Sequence, residues 1–533
     1  MRYKSTLSKA AFYLAAVISP LAGCDNDTLH DLNVNPNAVP QIDMNFLFTA
    51  GALSTACNGA AGDTWYTNWR TNIGTCAYAI QQLSTTATDG IGQGDKYWEN
   101  QEASQGVWDF YYNDQLKNLN EVIKQTSEGG FEEGRRKNTR EAARILRVVN
   151  FHRLTDWFGN IPYTEANLGV EGNFFPAYDT QSAIYADMLK ELDEACASIS
   201  TSNPDDGFAA ADMIYQGDVA KWKKYGYTLM LRLAMRISNV DAASAASYVS
   251  KAVTGGVFTS NDDNAIIPMT TAQISTQNGI TRAFVDGNNP TILSNTFIDK
   301  LKGAAAGTAA DDDPRLMIFS GGVKGNKDPL IQRGMPNGLT NATLDVYTGV
   351  PQTVASNVFS LINPLFLDHD EPYMMMNYAE AEFLMAEAIE RGIGTVGGSA
   401  AAHYAAGVKA AMQMYTINDP SFAISDAQVA TYLATYPYGG SLDQKLEMIG
   451  TQMWISKFLN WWDSWSDWRR TGYPTLTPIN FPGNLTGGVI PRKLKLPASE
   501  YSRNEKMLTE SDFSAGATVP DTQVGEVWWD GGK

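Results

Sequence analysis

The chain runs to 533 residues with a formal charge of −18, an acidity that argues against nucleic acid or a polybasic membrane patch. With 44% hydrophobic and 18% charged residues it reads as globular, not disordered. Its length allows two or three domains, although a helical solenoid can run this long as one body.

Arg2, Lys4 and Lys9 make a basic start, and Ala10 to Leu21 is an apolar run of signal-peptide length, too short to span a bilayer. Leu21-Ala22-Gly23-Cys24 then sets a cysteine after a small residue, which resembles a bacterial lipobox. In such signals residues 1–23 are removed and Cys24 carries the lipid. Losing three basic residues moves the charge from −18 to −21, so the lipid has to do the anchoring. Residues 24–40, with Asp, Asn and Pro abundant, read as a lipidated tether. Of the remaining cysteines, Cys57, Cys76 and Cys196, all three cannot pair. A Cys57–Cys76 disulfide and buried free thiols both stay open. The histidines His30, His152, His369 and His403 have no zinc-site spacing.

From Phe46 onward the chain reads as mostly helical. Ile145, Val148, Phe151, Leu154 and Phe158 fall three and four apart, predicting a helix over 139–158 that stops at Gly159-Asn160 before Pro162. Trp222, Tyr225, Leu229, Leu233 and Ile237 predict a second over 218–239. Met374, Tyr378, Ala381, Met385 and Ala388 predict a third over 372–392, with Gly392 as its C-cap. Further helices are expected over 107–125, 181–198, 400–416 and 442–460. Recurring amphipathic helices with Trp108 and Tyr111 at a Trp-x2-Tyr spacing suggest tetratricopeptide-like hairpins. Segments 84–100, 255–295, 303–360 and 472–533 read as long polar loops, where binding usually sits on a rigid scaffold.

Eight motifs in order resemble the SusD/RagB family of outer-membrane nutrient-binding lipoproteins, within the subgroup that opens on Asn-Pro-Asn. They are Leu32 to Asn37, Ala142 to Arg147 running into Phe158 to Tyr163, Gly217 to Trp222, Leu231 to Arg236, Asp313 to Leu316, Ala379 to Glu382, Trp468 to Pro474, and Ile490 to Lys493. The resemblance implies an all-α fold, a tetratricopeptide-like helix-pair scaffold with long irregular ligand-binding loops, as a single domain over 41–533. It implies a SusC-like TonB-dependent transporter as partner, an oligosaccharide or polysaccharide ligand, and a lipid-anchored place on the outer membrane facing the cell exterior. Asp25 and Asp27 after Cys24 resemble the surface-export signal of such lipoproteins. Arg144, Arg147, Arg232, Arg236, Arg469 and Arg470 offer bidentate donors for carboxylates such as Glu380, Glu382 and Asp467, so the motifs themselves read as scaffold.

A sugar site needs flat aromatic faces flanked by amides and carboxylates. Trp65, Tyr66 and Trp69 with Asn68 and Asn72 have that chemistry, as do Tyr97 and Trp98 with Asp95, Glu99 and Asn100. The resemblance adds a mid-chain loop with Phe284, Asp286, Asn288 and Asn289. Trp454, Trp461, Trp462, Trp465 and Trp468 read as core. Asp463 with Asp467, or Glu380, Glu382 and Glu387, are the carboxylates a glycosidase would need, but on arginine-rich helices they read as ion-paired. No nucleophile, P-loop or metalloprotease motif is present, so no catalytic residue, metal or cofactor is expected. Asp311-Asp312-Asp313 is weighed as a calcium ligand set and read as a solvated acidic run. A glycan is the expected ligand, with peptide as the alternative.

Overall fold

The computed structural model describes residues 42–56, 65–90, 92–204, 207–349, 358–504, 506 and 522–531. Cys24, the tether and Cys57 lie outside them. Contacts divide the chain into units 1–43 and 44–533, and the second carries everything that follows.

Its longer helices are α1 (Met44–Thr55), α2 (Gln101–Phe110), α3 (Leu116–Thr126), α4 (Lys137–Phe158), α5 (Gln181–Ser198) and α6 (Val219–Arg236). They continue as α7 (Ala242–Gly255), α8 (Tyr378–Arg391), α9 (Ala400–Gln413), α10 (Asp426–Thr435), α11 (Leu442–Ser456) and α12 (Trp461–Thr471). Side-chain caps set their starts. Thr180 accepts from the Ala183 N–H, Asp218 from those of Ala220 and Lys221, and Asn377 from that of Glu380. Glycines set several ends: Gly392 takes φ 66° after α8, the left-handed cap expected there. Neighbours in sequence pack in pairs, α3 on α4, α4 on α5, α6 on α7 and α8 on α9. The helix-pair scaffold is therefore present.

Two expectations need correction. The stretch over 372–392 is not all helix, because Tyr373–Met376 is a strand paired antiparallel with Ala265–Ile267. Its unbroken apolar run carries no helical period, and the Asn377 cap starts α8 after it. The segments read as loops are also more ordered than expected. They hold that sheet, a second antiparallel pair of Ser320–Val323 with Ser360–Ile362, and short helices such as Gly279–Val285 and Asn341–Thr348. Between α2 and α3, Tyr111–Gln115 is wound as π-helix.

The centre of the unit holds two kinds of side chain. Trp454, Trp461, Trp462 and Trp465 are buried, with Trp468 at their edge, which places them in the core. Around them runs a lattice of buried charges. Arg232 grips Glu380 through Nε (2.6 Å) and Nη2 (2.7 Å) and reaches Asp463 at 3.2 Å. Lys457 bridges Glu380 and Asp467, Arg236 pairs with Asp467 at 3.1 Å, and Arg470 grips Glu387. One arginine departs from the expected pattern: Arg469 donates to the Asp156 and Arg492 carbonyls rather than to a carboxylate, whereas Arg144 pairs across to Glu191 and Glu194 on α5 as well as with Glu141 on its own helix. Glu382 is held by His403 Nδ1 (2.6 Å), not by arginine. Cys76 and Cys196 are free, buried thiols.

This lattice sets the acid limit of the fold. Burial alone raises a carboxyl pKa, yet the cations beside Asp463, Asp467 and Glu387 hold all three below their ordinary values. Such groups stabilise the fold above the unfolded pKa, near 4, and lose that contribution as pH falls through the folded one. Burial also pushes His152 down to about 4, which costs stability as pH falls from about 6.5. Burial pushes Glu371 up to about 7, which acts in the opposite sense over much of that window. The expected profile of melting temperature is therefore a plateau above about pH 4 and a steep fall below it. A plateau that persists to about pH 3 in thermal scans would contradict the lattice as the source.

Candidate functional site

Trp65, Tyr66 and Trp69 lie on a short helical turn that continues as the π-helical segment Asn68–Ala77. The backbone beneath them is pinned from inside. Asn72 donates to the Leu459 carbonyl (2.9 Å) and accepts from the Trp462 N–H (3.0 Å), and Asn68 donates to the Ala56 carbonyl. Both amides are fully buried, so they hold the platform and do not face a ligand. The rings themselves are only half-buried. Trp65 stacks on Trp69 at 5.3 Å with 21° between planes, and Tyr66 stands edge-on to Trp69 at 5.0 Å.

Two arginines complete the cluster, and neither was singled out from sequence. The Arg70 guanidinium lies 4.2 Å from the Trp69 ring centre, and that of Arg282 lies 5.4 Å from Trp65. Arg70 is tied to the exposed Glu102 at 2.6 Å. Arg282 is tied to Asp286 at 3.1 Å, and Asp286 also meets His369 Nε2 at 2.9 Å. Burial opposes ionisation of Asp286, but the His369 and Arg282 hydrogen bonds hold its carboxyl below the usual range. The N-terminal aromatic segment and the mid-chain loop thus meet through Arg282. The rest of that loop divides. Phe284 is buried edge-on against Trp461, Asn289 caps a short helix through the Ala283 carbonyl, and Asn288 is exposed with φ +48°.

The second segment packs backbone to backbone on the first, since a Cβ on Gly94 would stand 1.9 Å from the Gly74 carbonyl oxygen. Asp95 turns inward. Its carboxylate is fully buried and takes Lys96 (2.7 Å), Asn337 (2.5 Å) and the Gly338 N–H (2.8 Å). Tyr97 is 1% exposed, so its ring belongs to the core and presents no face to solvent. Asn100 caps α2 by accepting from the Ala103 N–H, and Glu99 pairs with Lys495. Trp98, like Glu99, is half-buried at the surface, with Phe481 edge-on to it at 5.3 Å. The indole N–H groups of Trp69 and Trp98 are buried and meet no acceptor among the described residues. Phe481 is the further aromatic residue the sequence reading missed; its only signal is the Phe-Pro-Gly turn at 481–483.

The carboxylates weighed for hydrolysis are committed elsewhere. Asp463, Asp467, Glu380 and Glu387 are buried in ion pairs with Arg232, Lys457, Arg236 and Arg470. Asp313 is gripped by Arg315, with Asp311 and Asp312 accepting N–H groups of Ala305 and Gly303.

A family model described as "Starch-binding associating with outer membrane" (SusD-like) matches residues 44–497. A solved chitin-binding protein is 30% identical, with 92% of this chain and 100% of that one aligned at a TM-score of 0.78. A chitin-binding SusD homolog from Flavobacterium johnsoniae is 24% identical over 91% of this chain and 98% of its own, at 0.74. A SusD homolog from Bacteroides uniformis is 24% identical over 92% and 100%, also at 0.74. The last two speak to the fold alone. No curated protein matches. The helix-pair scaffold, the family match across the unit that carries it and the structural likeness agree: this chain belongs to the SusD-like family.

Proposed function

We propose that the chain is a non-enzymatic lipoprotein that captures an oligomeric glycan at the cell surface and delivers it to a SusC-like TonB-dependent transporter. Cys24 carries the lipid and holds the protein on the outer face of the outer membrane. The observation that carries the reading is the half-buried ring cluster Trp65, Tyr66 and Trp69, set on a backbone pinned by buried amides, with Trp98 on the adjoining segment. A rigid aromatic surface suits the apolar faces of pyranose rings at low entropic cost. The 30% identical relative named as chitin-binding supports chito-oligosaccharides as the first ligand to test.

The test is binding of the mature chain to a panel of polysaccharides, oligosaccharides and peptides, with products checked for cleavage. Binding of one glycan class without turnover is the expected result. Peptide-only binding changes the cargo, and cleavage overturns the non-enzymatic reading. Within that panel, Trp98→Ala is expected to weaken the preferred glycan about tenfold with no loss of melting temperature, because its ring adds little to the core. Unchanged affinity, or a large loss of stability, counts against Trp98 as a contact.

A further inference from the structure

The exposed face of α2 and the π-helical turn after it carries Glu102, Gln105, Asp109 and Asn113, spaced three and four apart. At one end Glu102 holds Arg70 over Trp69. In the middle Gln105 donates to Asp109 at 2.8 Å. At the other end, roughly 15 Å along the axis, Asp109 and Asn113 border a groove of about 460 Å³. Trp108 and Tyr112 line its wall, and Phe174 and Phe175 project from the loop before α5. Those two phenylalanines are 73% and 54% exposed, an unusual cost for a surface facing only water. The amide of Asn504, itself buried in the groove lining, donates to Pro176 and Glu500 yet leaves its Oδ1 without a partner among the described residues. Aromatic faces, side-chain amides and an unfilled acceptor recur here on a face that no ring-cluster residue reaches.

We propose that the glycan lies along a track rather than at a point: the groove at Phe174 and Phe175 is a second subsite for the same chain, joined to the Trp65–Trp69 cluster by the polar stripe of α2. The inference rests on the capture reading above. The ligand is neutral, because Asp109, Glu165 and Glu500 line the groove against Arg503, with Lys506 on Glu165 at 3.6 Å, and the remaining negative charge would repel uronate or sulfate. A chain long enough to occupy both ends binds its second subsite intramolecularly, so affinity grows with length beyond what one cluster supplies.

The experiment measures affinity of the full chain for N-acetylchito-oligosaccharides from the disaccharide upward, with malto-oligosaccharides as a second series. Affinity for the longest members is expected to exceed that for the shortest by at least roughly tenfold. The double substitution Phe174→Ala, Phe175→Ala removes that gain and leaves the short members bound as before, and Asn113→Ala reduces it in part. Both changes are at exposed positions, and an unchanged melting temperature verifies the fold. Short members that bind with no gain in length, or a gain that survives the double substitution, overturn the track and leave the capture reading standing. Failure of both series at every length, with no other glycan of the panel bound, overturns the two together. Glycan affinity unchanged in the double variant, with co-purification of a transporter lost, assigns the phenylalanines to protein docking and overturns the track.

Discussion

Arg232→Ala is expected to cost about 3–5 kcal/mol of stability, the largest single effect in the molecule. Arg232 is 2% exposed and neutralises Glu380 with two short bonds while reaching Asp463. Its removal leaves Lys457 as the one cation on Glu380 among the described residues, and Asp463 keeps Arg153 at 3.9 Å and the neutral Asn460 amide at 3.0 Å. Breaking one member of a buried set is worse than never having it, because the remaining charges stay out of water without a partner. Against a typical total of about 5–15 kcal/mol, that loss brings the unit near its limit. The measurement is urea unfolding of Arg232→Ala, Glu380→Ala and the double variant. The double variant is expected to lose clearly less than the two singles summed, and simple additivity would remove the lattice from the account.

Trp69→Ala is expected to reduce affinity for the preferred glycan roughly thirtyfold or more, about 2 kcal/mol. Trp69 touches Trp65, Tyr66 and Arg70, so its loss removes a ring and leaves the Trp65–Tyr66 contact at 5.3 Å without its third partner. Trp69→Phe retains a flat face and is expected to recover part of the affinity. Calorimetry with the glycan found in the panel reads both. Equal affinity of wild type and Trp69→Ala would show that the rings only fill space.

What the sequence disclosed follows from how far each interaction reaches along the chain. Helical stripes are local, and α4, α5 and α6 begin and end within a few residues of the positions their caps and periodicity predict. Tyr373–Met376 was misread because a short apolar run has no period with which to choose between strand and helix. The site was half legible. Half-buried Trp65, Tyr66, Trp69 and Trp98 stand where an aromatic segment in a polar stretch points. Asn68, Asn72 and Asp95 looked like ligand groups because a polar side chain in a polar loop gives no sign of facing inward. Only the fold brings Asn337 to Asp95 across 242 residues, or Arg282 over Trp65.

The inward turn of Asp95 has a consequence for how such a protein changes over time. The loop that carries Trp98 is fastened by a carboxylate that no ligand touches, and the segment that carries Trp65 and Trp69 is fastened by Asn72 in the same way. On the proposed reading, anchoring and recognition are divided between different side chains of one short stretch. Substitutions at the rings would then retune which sugar is held while the loops keep their course, so new diets would be reachable by single steps that leave the scaffold intact.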